Sequence, residues 1–170
     1  AANGNAVRTT VLNTSSGNVT FSGKLNNFTA GTAESIQFNT VAGAVMFSES
    51  IGDAGKLGDV IINSTGATTF AKAVDAVSLT TNAGGTSLLN GGTITSVGAV
   101  TFNDNVTLGA DLTITTTNAN VLFGATVNSA DATARDLTVN AGSGNIRFAA
   151  TVGATQALDA VALNSSGETR

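Results

Sequence analysis

The chain of 170 residues contains no cysteine, histidine, proline, tryptophan or tyrosine. Without cysteine it forms neither disulfides nor thiolate metal sites. Without histidine it has no imidazole base, so a Ser-His-Asp triad is excluded. The absence of proline suits a long hydrogen-bonded ladder, because proline has no N–H to donate. These absences exclude several common kinds of active site and favour a regular β structure.

Charged residues are also few. Asp, Glu, Lys and Arg make up 11% of the chain, against about 25% in typical proteins, and the net charge is −4. The seven basic residues are scattered, which argues against nucleic-acid binding. No apolar run approaches the roughly 18 residues of a membrane helix, so we expect no membrane insertion. No signal peptide or initiating Met is visible, which indicates a mature chain or an excised piece.

The chain does contain a short pattern that recurs seven times. Each copy has two apolar residues flanking one position, then Asn or Thr, a small polar turn, and usually Gly-x-apolar-x-Phe. The clearest copies run from Val60 to Phe70 and from Leu137 to Phe148, and successive copies begin 17 to 35 residues apart, mostly near 24. A period in this range with strand-like alternation is typical of stacked coils that bury their apolar faces on one another.

Each copy has three apolar stations. The first strand carries two apolar side chains two residues apart, such as Ile36 and Phe38, which therefore point to one face. The second strand ends in Phe. The third station follows that Phe by four residues in six copies, at Leu25, Ile51, Val74, Val106, Val127 and Val152. The region from Val77 to Leu108 is irregular: Val77 and Leu79 are interpreted as a first-strand pair, and Leu88 or Leu89 replaces Phe.

These features predict an all-β fold, a parallel β-helix or β-solenoid of about seven coils of 17–25 residues. Right-handed winding is expected because parallel crossovers are usually right-handed. At about 4.8 Å per coil, the rod would be roughly 34 Å long. The alternative is a tandem β-sandwich, but sandwich domains need about 100 residues and rarely repeat one core pattern at so short a period. Residues 1–170 are therefore expected to form a single array.

Two ladders of side chains are expected along the rod. The aromatic rings should be buried and stacked in one row comprising Phe21, Phe47, Phe70, Phe102, Phe123 and Phe148. The position after the first strand should form a row of stacked amides and hydroxyls, comprising Asn13, Asn39, Asn63, Thr80, Thr115, Asn140 and Asn164. The second row is interpreted as a turn-stabilising ladder, and the alternative is a row of ligand-binding amides.

The carboxylates are the remaining candidates for chemistry. Five of them precede the first strand by one or two residues, at Asp59, Asp75, Asp111, Asp136 and Asp159. A cation-binding edge or an acid pair for glycoside hydrolysis is one interpretation. The alternative is that these aspartates are structural turn residues. Repetition favours this alternative, because a turn residue is needed in every coil whereas a catalytic residue is needed once. We therefore predict no enzyme activity and no cofactor, with a weak calcium site at Asp53, Asp59 or Asp104 as the open alternative.

Two segments carry a resemblance to a known family, namely Gly98-Ala99-Val100-Thr101-Phe102-Asn103-Asp104-Asn105-Val106-Thr107-Leu108 and Leu137-Thr138-Val139-Asn140-Ala141-Gly142-Ser143-Gly144-Asn145-Ile146-Arg147-Phe148. They resemble repeats of filamentous-haemagglutinin-type proteins, which are very long secreted bacterial surface proteins. The resemblance covers about residues 7 to 167 and lies in the style of the repeat. It implies a right-handed parallel β-helix that serves as an adhesin, biofilm scaffold or exoprotein fibre on the bacterial cell surface.

Three functions follow as hypotheses. The first is a non-enzymatic structural or adhesive solenoid of the bacterial exterior, as part of a longer repetitive protein. The second is a filament subunit that stacks end to end with neighbouring copies or with adjacent repeats of a parent chain. The third is an ice- or glycan-binding face with rows of threonine such as Thr113, Thr115 and Thr117. Host or matrix glycans are the expected partners of an adhesive surface.

Overall fold

The computed structural model describes residues 8–27 and 32–170. Within them the chain is all-β, contains no helix, and winds as a parallel β-solenoid of about seven turns. The predicted fold class is therefore confirmed in these respects. Residues 1–7 and 28–31 of the predicted array lie outside the described residues.

The described residues form seventeen short strands. In chain order they are β1 (Thr9–Thr14), β2 (Val19–Phe21), β3 (Ser35–Thr40), β4 (Val45–Phe47), β5 (Leu57–Asn63), β6 (Ala67–Phe70), β7 (Val74–Thr81), β8 (Thr86–Leu89), β9 (Thr93–Ser96), β10 (Val100–Phe102), β11 (Asn105–Leu108), β12 (Leu112–Thr116), β13 (Val121–Phe123), β14 (Val127–Ser129), β15 (Arg135–Gly142), β16 (Ile146–Phe148) and β17 (Leu158–Ser165). Threonine and valine favour these strands, and glycine and asparagine favour the corners between them.

Each coil has three faces, and every face is a parallel stack. Face 1 contains Leu25, Ile51, the first half of β7, then β9, β12, β15 and β17. Face 2 contains β1, β3, β5, the second half of β7, then β10, β13 and β16. Face 3 contains β2, β4, β6, β8, β11, β14 and Val152.

The repeat changes face once along the rod. Up to β7 the first strand of each copy lies on face 2 and the second on face 3. From β9 onward the first strand lies on face 1 and the second on face 2. The change occurs because the copy beginning at Val77 has no third station of its own: β8 is followed directly by β9, which occupies the face-1 position that Val74 holds one coil earlier. This shift explains the irregular spacing between Val77 and Leu108.

The observed coil lengths and one core position differ from the prediction. Residues stacked in successive coils are 19 to 26 apart, as between Val60 and Leu79 and between Thr9 and Ser35, rather than 17–25. In β7 the inward side chains are Val74, Ala76, Leu79 and Thr81, whereas Val77 is only half-buried. The pairing of Val77 with Leu79 was therefore wrong, because β7 spans two faces and its alternation changes phase between them.

The phenylalanine rings form two columns instead of one row. On face 3, Phe47 stacks between Phe21 and Phe70 with centroids 5.6 and 5.3 Å away. On face 2, Phe123 stacks between Phe102 and Phe148 at 5.8 and 4.8 Å. Phe102 lies over Thr81 rather than over Phe70, because the second strand has moved by one face.

The face-3 column continues past Phe70 with an aliphatic residue. Leu89 takes the place above Phe70, so Leu89 rather than Leu88 replaces the ring at this position. Phe47, Phe70, Phe102 and Phe123 are buried, while Phe21 and Phe148 in the outer coils are half-buried.

Candidate functional site

The predicted asparagine row is divided by the same shift. On face 2, the Asn39 amide donates to Asn13 Oδ1 at 2.7 Å, and the Asn63 amide donates to Asn39 Oδ1 at 2.9 Å. On face 1, the Asn164 amide donates to Asn140 Oδ1 at 2.8 Å. These hydrogen bonds join one coil to the next.

Thr80 does not belong to this ladder. It is paired with Ile61, and two positions later the chain brings Asn82 to the corner above Asn63. Asn82 Oδ1 accepts a hydrogen bond from the Ser64 backbone at 2.8 Å, and one coil later the Asn103 amide donates to the Thr81 carbonyl at 2.8 Å. The corner therefore carries an asparagine in both coils, but Asn82 and Asn103 form hydrogen bonds with the backbone rather than with each other.

A second row, of hydroxyl residues, was missed from the sequence. Thr14, Thr40 and Ser64 each directly follow a ladder asparagine, and their hydroxyls donate to the carbonyls of Gly17, Gly43 and again Gly43. Thr116 and Ser165 occupy the same position on face 1 and bond to Ala119 and Gly144 carbonyls. A small hydroxyl residue after Asn was the available sequence signal, and its role is to satisfy turn carbonyls, of which those of Gly43 and Gly144 belong to buried residues.

Most hydrogen bonds between a side-chain oxygen of one coil and a backbone N–H of a neighbouring coil share one direction. Side-chain oxygens of one coil accept from backbone N–H groups of the next coil, with distances of 2.8 to 3.3 Å. The accepting residues include Asn18, Asn26, Ser35, Asn105, Asp111, Asn118, Asn120, Asn128, Asp136 and Asn145. The reverse direction occurs at Asn82 and Asp104, which accept from Ser64 and Gly85 of the preceding coil. Most of these bonds thus give the rod a chemical polarity.

The row of aspartates takes part in this pattern. Asp111 Oδ1 accepts from the Asp136 backbone at 3.0 Å, and Asp136 Oδ1 accepts from the Ala160 backbone at 3.0 Å. Asp75 pairs instead with Lys56, one coil earlier. These carboxylates therefore hold neighbouring coils together.

The three candidate calcium ligands have separate protein partners. Asp53 Oδ2 is 2.6 Å from Lys24 Nζ, and hydrogen bonding to that ammonium group lowers the pKa of Asp53 to about 2. Asp59 Oδ1 accepts from the Ser78 hydroxyl at 2.6 Å. Among residues 8–27 and 32–170, no group of three or more carboxylates is placed to hold a metal ion.

Asp104 is the one candidate that lies inside the solenoid, with 1% of its surface exposed. Its Oδ1 accepts from the Gly85 backbone at 2.9 Å, and its Oδ2 is 3.3 Å from the Ser87 hydroxyl. Burial disfavours the charged carboxylate and raises the pKa of Asp104, while these hydrogen bonds partly oppose that effect. The Asn103-Asp104-Asn105 segment has the composition of an exposed polar loop, which concealed this burial.

We expect Asp104 to make the protein less stable as pH rises. Because its pKa is higher in the folded state than in the unfolded state, the folded state binds more protons between the two values. Its contribution favours folding below the unfolded pKa and is lost as pH rises through the folded pKa. Thermal unfolding should therefore be measured from pH 3 to pH 8 for the wild type and for Asp104→Asn. The melting temperature of the wild type should fall, relative to that of the variant, as pH rises through the folded-state pKa of Asp104. Identical pH profiles for the two proteins would contradict this prediction.

Two surface hollows lie at the ends of the rod. One, of about 370 Å³, is lined mainly by apolar residues of the first coils, including Leu12, Phe21, Leu25 and Ile36. The other, of about 220 Å³, is lined by residues of the last coils, including Val121, Ile146, Glu168 and Arg170. Neither hollow brings together an acid-base pair buried from water.

Among the described residues, no helix is long and apolar enough to span a membrane. No protein-family model matches the chain, and the comparisons with curated proteins and with solved structures likewise find no match. The fold itself, a parallel β-solenoid, is compatible with β-helix repeat proteins in general.

Proposed function

We propose that this chain is a non-enzymatic structural or adhesive β-solenoid of the bacterial cell exterior, of the filamentous-haemagglutinin type. The observation that carries the proposal is the use of the repeated polar residues. The asparagine ladder and the aspartates Asp111 and Asp136 bond one coil to the next, and thus serve the rod itself. A chain whose recurring polar groups are used in this way is suited to carry load or to present a surface.

The outward surface supports an adhesive role through low charge and hydroxyl groups. On face 1, Thr93 lies beside Thr113 and Thr95 beside Thr115, so four threonines form a two-by-two patch. Strand spacing separates their coils by about 4.8 Å. A neutral patch of regularly spaced hydroxyls suits contact with host or matrix glycans. Recognition of ice by the same patch is the alternative.

Adhesion is tested with beads that carry the purified protein under shear flow over a polysaccharide matrix. We expect attachment that survives a calcium chelator and leaves the polysaccharide chains intact. Thr95→Lys with Thr115→Lys should reduce attachment if the patch is the adhesive surface, because both side chains are exposed there. Thr20→Lys, on exposed β2 of face 3, is the matched control. Cleavage of the polysaccharide that is lost on replacing Asp111 or Asp136 would overturn the non-enzymatic role.

A further inference from the structure

Asn90 differs from every other asparagine in the described part of the chain. It directly follows β8, and its exposed side chain forms no hydrogen bond among the described residues. A Cβ added to Gly109 would lie 1.8 Å from its Oδ1, so the carboxamide is held by packing alone. The other described asparagines all have hydrogen-bonded side chains; they are Asn13, Asn18, Asn26, Asn27, Asn39, Asn63, Asn82, Asn103, Asn105, Asn118, Asn120, Asn128, Asn140, Asn145 and Asn164. The carboxamide of Asn90 is therefore unusually free to change its orientation.

The residue that follows, Gly91, has a free backbone nitrogen. Its N–H donates no hydrogen bond among the described residues, and glycine has no Cβ to shield that nitrogen. After other asparagines the corresponding N–H is bound, as that of Ser64 is to Asn82 Oδ1 at 2.8 Å. Asn90–Gly91 is also the one Asn-Gly dipeptide in residues 8–27 and 32–170. The backbone nitrogen and the neighbouring carboxamide are thus both unbound at the same corner.

We propose that Asn90–Gly91 is a site of spontaneous covalent modification, at which Asn90 is converted through a succinimide to aspartate and isoaspartate. The Gly91 nitrogen attacks Cγ of Asn90, and the new C–N bond closes the succinimide ring. The Cγ–Nδ2 bond breaks, and ammonia leaves with the proton that Gly91 has released to solvent. Water then adds to one of the two ring carbonyl carbons, and the ring C–N bond at that carbon breaks. Opening at Cγ gives aspartate, and opening at the backbone carbonyl carbon gives isoaspartate.

Isoaspartate adds a methylene group to the main chain at a corner that has no room for it. A Cβ on Gly91 would lie 2.0 Å from the Lys72 carbonyl oxygen in the preceding coil, so the two backbones are already in close contact. The Asn90 N–H donates to the Phe70 carbonyl at 2.9 Å beside this contact. The modification should therefore separate the two coils and give the rod a weak point that develops with age. This consequence is independent of the role proposed above.

Peptide mapping by mass spectrometry tests the site, on the full chain incubated either folded in mildly alkaline buffer or unfolded in urea. In the folded sample Asn90 should gain the mass difference between a hydroxyl and an amino group. Its peptide should also accept a methyl group from a methyltransferase specific for isoaspartate. Asn63, whose amide is bound to Asn39, should stay intact there. Asn90 that converts in urea but not in the folded chain would overturn the proposal. The Asn3–Gly4 dipeptide lies outside the described residues and is scored separately.

Ala119→Gly is the matched control, because it places a glycine after an asparagine that is hydrogen-bonded. Asn118 Oδ1 accepts from the Ser143 backbone at 3.0 Å, and the N–H of Ala119 donates to Thr116 Oγ1 at 3.3 Å. Because both bonds must break before the ring closes, Asn118 in this variant should convert at least about tenfold more slowly than Asn90. Equal rates would show that the dipeptide alone decides, and would overturn the assignment to this corner.

Urea denaturation of the aged protein tests the effect on the rod. The aged wild type should show a second transition at lower urea concentration, with an amplitude that follows the fraction of isoaspartate. Asn90→Ser removes the carboxamide and keeps a small polar side chain, so after the same incubation it should retain a single transition. Converted protein with an unchanged urea midpoint would overturn the predicted weak point.

Discussion

Replacing Phe47 with alanine should lower the free energy of unfolding by about 3–5 kcal/mol. The ring is buried and stacks between Phe21 and Phe70, and the edge of Phe38 meets it from face 2 at 5.3 Å. Removing it leaves a cavity that three neighbouring aromatic side chains line. Since whole domains are stable by about 5–15 kcal/mol, the loss is a large share of the total.

The measurement is urea denaturation followed by far-UV circular dichroism, because the chain has no tryptophan or tyrosine for intrinsic fluorescence. The matched control is Phe148→Ala, whose ring is half-buried and, among the described residues, stacks only on Phe123, at 4.8 Å. It should cost about 1–2 kcal/mol, because less apolar area returns to water. Equal losses for the two variants would show that position in the column does not matter.

Replacing Gly52 with alanine should cost about 2–5 kcal/mol, the second large effect. Gly52 has a φ of +78°, which an L side chain rarely adopts, and a Cβ there would lie 1.9 Å from the Asp75 carbonyl oxygen in the next coil. Backbone strain costs about 1–3 kcal/mol, and overpacking adds a similar amount. Because the obstacle is backbone, the two coils must separate and weaken the bonds from Ile51 to Ala73 and Asp75.

Gly153→Ala separates the two contributions. Gly153 also follows a third-station residue and has a φ of +68°, but a Cβ there would meet nothing closer than 3.3 Å. Because this contact is much looser than the one at Gly52, the variant should show mainly the backbone strain, about 1–2 kcal/mol. Urea midpoints of both variants give the comparison. If Gly153→Ala were as costly as Gly52→Ala, the close approach of coils at Gly52 would not be the cause.

The sequence carried enough information for the kind of fold. Apolar residues two apart, as in Val60 and Ile62, identify one buried side of a strand, and both are fully buried. The period shows that such strands recur in stacked coils, since no single copy can bury its own apolar face. These are local properties, so one sequence is sufficient to predict them.

Which strand stacks on which is a non-local property, and here the prediction was wrong. The rings of Phe70 and Phe102 belong to the same motif but to different columns. Any apolar-x-apolar strand fits above any other, so side-chain type alone does not determine the face. Only counting the strands between β7 and β12 reveals that one station is missing.

The sequence predicted that polar residues form a stacked ladder, but it did not predict the hydrogen-bond partner of every polar residue. Asparagine after the first strand indicated a stacked ladder, and Asn39 does bond to Asn13 and Asn63. Asp104 could not be recognised as buried, because its acceptor role depends on the Gly85 backbone in the preceding coil. Nothing in the local segment specifies that neighbour.

The one-face shift at β8 and β9 also bears on how such an array can change length. Strands of different kinds stack above one another across this junction: a first strand pairs with a second at Leu79 and Val100, and a second with a third at Leu89 and Leu108. The three faces therefore accept each other's strands. A duplication or deletion in the gene need not span a whole coil to preserve the fold, because a single strand with its corner is a sufficient unit. The array can gain or lose length in steps smaller than its own repeat.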